Sequence, residues 1–104
     1  MGSPPSLTSR QRAELRSRAR KLRPGASVGK GGLTDSALVH LRDQLARAEL
    51  LKVRLAGPSA ADRRALAHRM ANALDAEVVD LIGRMVVLYR PGGRPRAGGQ
   101  GRQD

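Results

Sequence analysis

Five consecutive residues, Met85-Val86-Val87-Leu88-Tyr89, are apolar at every position. A short unbroken run of this kind, rich in β-branched side chains, reads as a strand. A strand with no polar face has to be packed on both sides, so it belongs inside a sheet and not at its edge. Val78 to Ile82 is a second β-rich run, separated from the first by Gly83-Arg84 alone. Two residues with glycine first is the spacing of a tight hairpin with a type II′ turn.

The rest of the chain supplies the remaining layers. Leu51-Lys52-Val53-Arg54-Leu55 alternates with period two, which predicts a half-buried strand with Leu51, Val53 and Leu55 inward and Lys52 and Arg54 outward. Ala26-Ser27-Val28 is a short strand candidate. A first helix is expected from an N-cap at Ser9 to about Leu22, with Leu15, Ala19 and Leu22 inward and Pro24-Gly25 ending the segment. A second helix, about Ser36 to Ala48, is capped by Thr34 or Asp35 and carries the stripe Leu38, Leu41, Leu45, Ala48. A third spans about Ala60 to Leu74, with Leu66, Ala67, Met70, Ala71 and Leu74 on one face. The order is α-β-α-β-α-β-β. This is an α/β chain of the α+β two-layer kind, with a four-stranded mixed sheet whose right-handed crossovers put the second and third helices on one face.

A chain of 104 residues is one domain with tails. Residues 1–6 are expected to be disordered, residues 7–91 to form the domain, and residues 92–104 to be a flexible Arg/Gly-rich tail. With one tyrosine and no phenylalanine or tryptophan, the core has to be aliphatic. The absence of cysteine removes disulfides, thiolate metal sites and cysteine nucleophiles, and fits a cytoplasmic protein. No stretch approaches the length of a membrane span.

Charge narrows the partner. Twenty Lys+Arg face nine Asp+Glu, a net charge of +11, and all but Lys21, Lys30 and Lys52 of those cations are arginine. The guanidinium fork suits phosphate oxygens and stacks on bases, so this balance points to a polyanion. One acid, Glu14, stands among Arg10, Arg12, Arg16, Arg18, Arg20, Lys21 and Arg23 in and just after the first helix, a density that repels itself unless a polyanion neutralises it. Between the first strand and the second helix lies Gly29-Lys30-Gly31-Gly32. Clustered glycines let a ligand approach the backbone, and the helix N-terminus behind them offers unpaired N–H groups and partial positive charge. With Lys30 as a mobile cation, this is a phosphate-binding corner. It is not a nucleotide P-loop: Gly25 and Gly29 have three residues between them where that pattern needs four, and Lys30 precedes glycine where the pattern needs Ser/Thr.

Three segments in order resemble the YhbY family, the bacterial single-domain members of the CRM (chloroplast RNA splicing and ribosome maturation) RNA-binding domain. They are Gly29-Lys30-Gly31-Gly32-Leu33-Thr34, similar to the family's GxxG loop and helix start; Glu49-Leu50-Leu51-Lys52-Val53-Arg54-Leu55; and Ile82-Gly83-Arg84-Met85-Val86-Val87-Leu88-Tyr89-Arg90-Pro91. The first strand departs from the family's pattern, being small and polar where a Val/Ile/Leu run is usual. The resemblance implies a fold similar to the C-terminal domain of translation initiation factor three, with the last strand between the second and third and antiparallel to both. It implies RNA binding through the loop and neighbouring basic surface, and association with precursors of the large ribosomal subunit.

The expected RNA-binding set is Gly29, Lys30, Gly31, Gly32, Arg16, Arg20, Lys21, Arg23, Lys52, Arg54, Arg84 and Arg90. Tyr89 is expected in the core with its hydroxyl at the rim. His40 and His68 fall on polar sides of different helices with no second ligand at helical spacing, so no metal is expected. Ser27, Thr34 and Ser36 have no His–Asp partner nearby in sequence, and no cofactor, small-molecule substrate or catalytic role is expected. The expected partner is RNA, with ribosomal RNA or pre-large-subunit particles first, bound by a monomer. Two other readings stay open: a general nucleic-acid-compacting protein, separated by competition between ribosomal RNA and duplex DNA, and a nucleotide-using enzyme, separated by a turnover assay.

Overall fold

The computed structural model describes residues 7–29 and 31–90. The expectations for residues 1–6, for Lys30 and for the stretch from Pro91 onward lie outside the described residues. The elements are α1 (Ser9–Ala19), β1 (Ala26–Val28), α2 (Asp35–Ala48), β2 (Leu50–Leu55), α3 (Ala60–Leu74), β3 (Glu77–Ile82) and β4 (Met85–Tyr89). The strands run in the order β1-β2-β4-β3. β1 and β2 are parallel, and β4 is antiparallel to both neighbours. The all-apolar strand therefore lies inside the sheet, and Gly83 carries the positive φ (58°) of its hairpin turn while Arg84 does not.

Helices cover both faces of the sheet. On one, Leu41 and Leu45 of α2 and Leu66, Met70 and Leu74 of α3 pack on Leu51, Val53, Leu55, Val86 and Leu88. On the other, Leu7, Leu15 and Ala19 pack on Leu50, Val79 and Val87, with Tyr89 half-buried at the margin. The two expected layers thus gain a partial third from α1. That helix has few apolar side chains, and a backbone contact completes its seat. The β3–β4 register shifts between Val78 and Asp80, which turns Val79 toward α1 while Val78 and Leu81 face α2 and α3. A bulge disrupts the ladder. Arg12 reaches across from α1, its Nη1 donating to the carbonyls of Val78 (2.6 Å) and Val79 (3.2 Å).

Both ends of α1 differ from expectation. Thr8, not Ser9, is the N-cap: its Oγ1 accepts from Gln11 N–H (3.1 Å) and Gln11 Oε1 accepts from Thr8 N–H (2.9 Å). Counting from Ser9, the reciprocal position is Arg12, which has no acceptor to return. At the other end, Lys21 N–H bonds Arg18 O and Leu22 N–H bonds Ala19 O, three residues back. The tighter turn carries Leu22 off the apolar stripe, and it is 38% exposed. Pro24 disfavours helix at the residue before it.

α2 begins at its Thr34 cap, whose Oγ1 accepts from Ala37 N–H (3.0 Å). Leu38 is half-buried and Ala48 exposed, so the stripe of α2 is Leu41 and Leu45 with partial help. α3 has the expected bounds and all five expected buried residues. The glycine just before β1 also has a reason. Gly25 N–H bonds Lys52 O at 2.8 Å, and a Cβ on Gly25 would sit 2.8 Å from Leu51 Cδ1. Close approach to β2 leaves no room for a side chain where this strand begins.

Candidate nucleic-acid interface

β1 and β2 point the same way, so their carboxyl ends share one edge of the sheet, and α2 and α3 both start there. The carboxyl edge of parallel strands is where open α/β sheets bind ligands. The β3–β4 turn lies at the same end, because Met85 pairs with Arg54. Three loops therefore surround one open cleft of about 880 Å³, with Gly29 and Gly32, Ala56 to Pro58, and Arg84 among its lining. Asp62, Ala65, Leu66 and Arg69 line it from α3.

The glycine loop turns tightly. Gly32 N–H bonds Gly29 O (3.0 Å) and Thr34 N–H bonds Gly32 O (3.1 Å). Gly32 needs to be glycine for the turn itself, with φ 74°. Gly29 and Gly31 do not: neither has a positive φ, and a Cβ on either would meet nothing within 4 Å. Neither backbone strain nor internal packing requires glycine at these two exposed positions. What a missing side chain leaves there is bare backbone open to a partner.

Two arginines absent from the sequence-derived set shape this cleft. Arg63 donates from Nε to Gly83 O (3.0 Å) and from Nη1 to Gly57 O (2.9 Å). One guanidinium thus ties the first turn of α3 to the β2–α3 loop and the hairpin turn. Gly57 (φ 150°) admits it, since a Cβ there would lie 3.0 Å from Arg63 Cγ. Arg84 Nη1 reaches the same carbonyl at 3.5 Å. Arg69 is exposed along the wall. The acid of the cleft, Asp62, accepts from the Ser59 hydroxyl (3.0 Å) within the α3 cap. A parallel β-α-β-α order, readable from the sequence, brings the start of α3 beside the start of α2, but it does not reveal the carbonyls that Arg63 binds.

The expected RNA-binding residues fall in separate places. Gly29, Gly31, Gly32 and Arg84 belong to the cleft end. Arg16, Arg20 and Lys52 line a groove on the opposite, α1 side of the sheet. Arg54 shares the face of Lys52 by strand alternation and is exposed. Lys21 lines a shallow hollow with Ala48 and Leu50, at the sheet end away from the glycine loop. Arg23 is exposed beyond α1.

Arg90 leaves the set. It is 8% exposed, and its backbone N–H bonds Glu49 O (2.8 Å), at the sheet end away from the cleft. Burial lowers its guanidinium pKa, the Asp75 carboxylate opposes that shift, and Arg42 adds to it. Glu49 and Asp75 are the C-caps of α2 and α3, where a cation complements the helix dipoles. Its Nε has no hydrogen-bond partner. The side chain is a packed structural cation. Arg90→Ala is expected to lower unfolding free energy by about 1–3 kcal/mol, the range for losing a buried polar group. Urea denaturation checks this, and RNA affinity at a temperature where the variant is folded should stay near that of the parent.

Among the described residues no cluster of three His, Cys, Asp or Glu could hold a metal, and no helix is long and apolar enough to cross a membrane. His40 and His68 are exposed.

A four-stranded mixed sheet carrying helices on both faces, with a glycine loop at the mouth of its first crossover helix, defines a small α+β module of basic surface. The chain belongs to the CRS1/YhbY (CRM) domain family, whose profile matches residues 7–90. It is 34% identical over 90 residues to a probable RNA-binding protein of Pseudomonas aeruginosa, covering 86% of each chain. It is 31% identical over 86 residues to an RNA-binding protein of Haemophilus influenzae, covering 83% of this chain and 87% of the relative. A Staphylococcus aureus protein known from its solution structure superposes with a TM-score of 0.73 at 36% identity, covering 81% of this chain and 88% of that one.

Proposed function

We propose that this chain is a non-catalytic RNA-binding protein of the cytoplasm that binds ribosomal RNA in precursors of the large subunit, as a monomer, and assists their maturation. The observation that carries the RNA-binding part is the pair Gly29 and Gly31, exposed glycines that the fold does not itself require, at the head of α2, where Gly29 lines one cleft with Arg69 and Arg84. Backbone N–H groups and guanidinium forks at one cleft are donors for phosphate oxygens. Phosphate contacts supply affinity without reading bases, so selectivity comes from RNA shape and unpaired segments. The names of the relatives support RNA binding, and the ribosomal part rests on what the resemblance to the YhbY family implies.

The loop is tested by substitutions that separate folding from binding. Gly31→Asp places a carboxylate where phosphate is expected, in open space and without positive φ. It should leave the thermal melt unchanged and weaken ribosomal RNA binding about tenfold or more, the scale of a like-charge contact near a surface. Gly31→Ala and Lys30→Ala should weaken it less. Gly32→Ala should instead cost about 1 kcal/mol of stability, because its φ is 74°. A charge control has to lie away from the cleft and from the caps of the helices that border it. Exposed Ala46, near the far end of α2, is suitable as Ala46→Glu. If Gly31→Asp binds as well as Ala46→Glu, the loop is only a turn. For the ribosomal assignment, crosslinking in cells followed by mapping of the bound RNA should return large-subunit ribosomal RNA. Recovery of mainly messenger RNA would overturn it.

A further inference from the structure

The groove on the α1 side of the sheet has a composition of its own. Arg16 and Arg20 of α1, Lys52 of β2, and Asp80, Ile82 and Met85 of the hairpin enclose about 240 Å³, with Ala19 and Val87 below. The floor is aliphatic and the α1–β2 rim is cationic. Ile82 is 66% exposed, more than Val39 (62%) or Leu22 (38%), the other exposed large apolar side chains among the described residues. A ligand complementary to this groove pairs a flat apolar body with negative charge.

We propose that this groove seats one unpaired nucleotide of a single-stranded RNA segment, its base on Ile82, Met85 and Val87 and its phosphates against Arg16, Arg20 and Lys52. The proposal rests on the RNA-binding reading above and adds a second contact on the other side of the sheet from α2 and α3, so that one chain holds two RNA segments. A paired helix keeps its base faces stacked inside and cannot lay one on this floor, whereas an unpaired base can. Every base has a flat face, so the contact tolerates sequence, and arginine guanidinium groups stack on the face left open. Asp80 gives the site polarity. Its carboxylate, held by the Leu81 N–H at 3.0 Å, repels phosphate from the β3 side and leaves the α1–β2 side for the backbone.

Ile82→Glu tests the groove, with Val39→Glu as the control for an exposed apolar residue replaced by a charge on the other face. Arg20→Ala, at the exposed C-cap of α1, is a second variant placed outside the sheet strands. Each folded protein is titrated at fixed salt with a short unstructured oligoribonucleotide and with a paired RNA duplex of equal phosphate number. Relative to Val39→Glu, Ile82→Glu should weaken single-strand binding about tenfold, the scale of losing a buried aliphatic contact, and duplex binding less than about twofold. Arg20→Ala should shift in the same order. The parent should also hold both labelled RNAs in one complex, seen as energy transfer between them, and Ile82→Glu should lose that transfer. Equal single-strand affinity for Ile82→Glu and Val39→Glu, or equal losses on both RNAs, overturns the groove. Failure of the parent to bind either RNA overturns the RNA-binding reading itself, and Gly31→Asp weakening both RNAs while Ile82→Glu weakens neither leaves that reading standing without the groove.

Discussion

Raising monovalent salt fourfold is expected to weaken binding to single-stranded RNA by about 50- to 2,000-fold. The figure follows from about four to eight phosphate contacts and a slope near −0.7 per contact in log K against log salt. The excess of cations motivates it, and their placement sharpens it. Arg69 and Arg84 line the cleft, Arg16, Arg20 and Lys52 line the opposite groove, and Arg54 is exposed beside them. If only the cleft bound RNA, the slope would fall at the shallow end of that range. If both surfaces engage, it moves toward the steep end, and Arg20→Ala should reduce it by about 0.7. Titrations of the full chain across a salt series measure this directly, and an affinity indifferent to salt would remove the electrostatic account of both surfaces.

The largest expected loss of stability comes from the middle of the sheet. Leu88 is fully buried on β4, paired with Leu51 on one side and Val78 on the other, and packs in the core under α2 and α3. Leu88→Ala should lower the unfolding free energy by about 2–5 kcal/mol, the loss of buried methyl groups plus the cavity they leave. Domains of this size have about 5–15 kcal/mol in total, so the variant should lie close to unfolding at growth temperature. Val39→Ala, at a 62% exposed site, should change stability by less than about 0.5 kcal/mol. Urea titrations of both variants check the contrast, and comparable midpoints would mean that β4 is not the packed centre.

What could be read from the chain beforehand follows its local signals. The run 85–89 announced an interior strand because no residue in it tolerates water, and the glycine at 83 announced the turn. α3 was legible in its bounds and its buried face because Leu66, Ala67, Met70, Ala71 and Leu74 share one side, and the structure adds Ser59 as its N-cap. α1 was legible as a helix but not as the cover of a particular face. Leu15 and Ala19 are its only buried helical residues, and Arg12 bonds carbonyls at a bulge that the apolar pair Val78-Val79 does not betray. Charge misled at Arg90, where burial beside two helix C-termini is a tertiary fact. It was silent at Arg63, whose donors go to backbone carbonyls that sequence spacing does not bring together.

The two outer strands have a consequence for behaviour in a crowd. Proteins drawn along one polyanion meet at high local concentration, where an open strand edge invites pairing with the next copy. β1 offers three residues, and the β3 ladder is interrupted at Val79, so neither border presents a long regular template. Local irregularity at both borders therefore acts against sheet-to-sheet polymerisation, and lets a strongly cationic domain accumulate on nucleic acid while each copy keeps its own sheet closed to its neighbours.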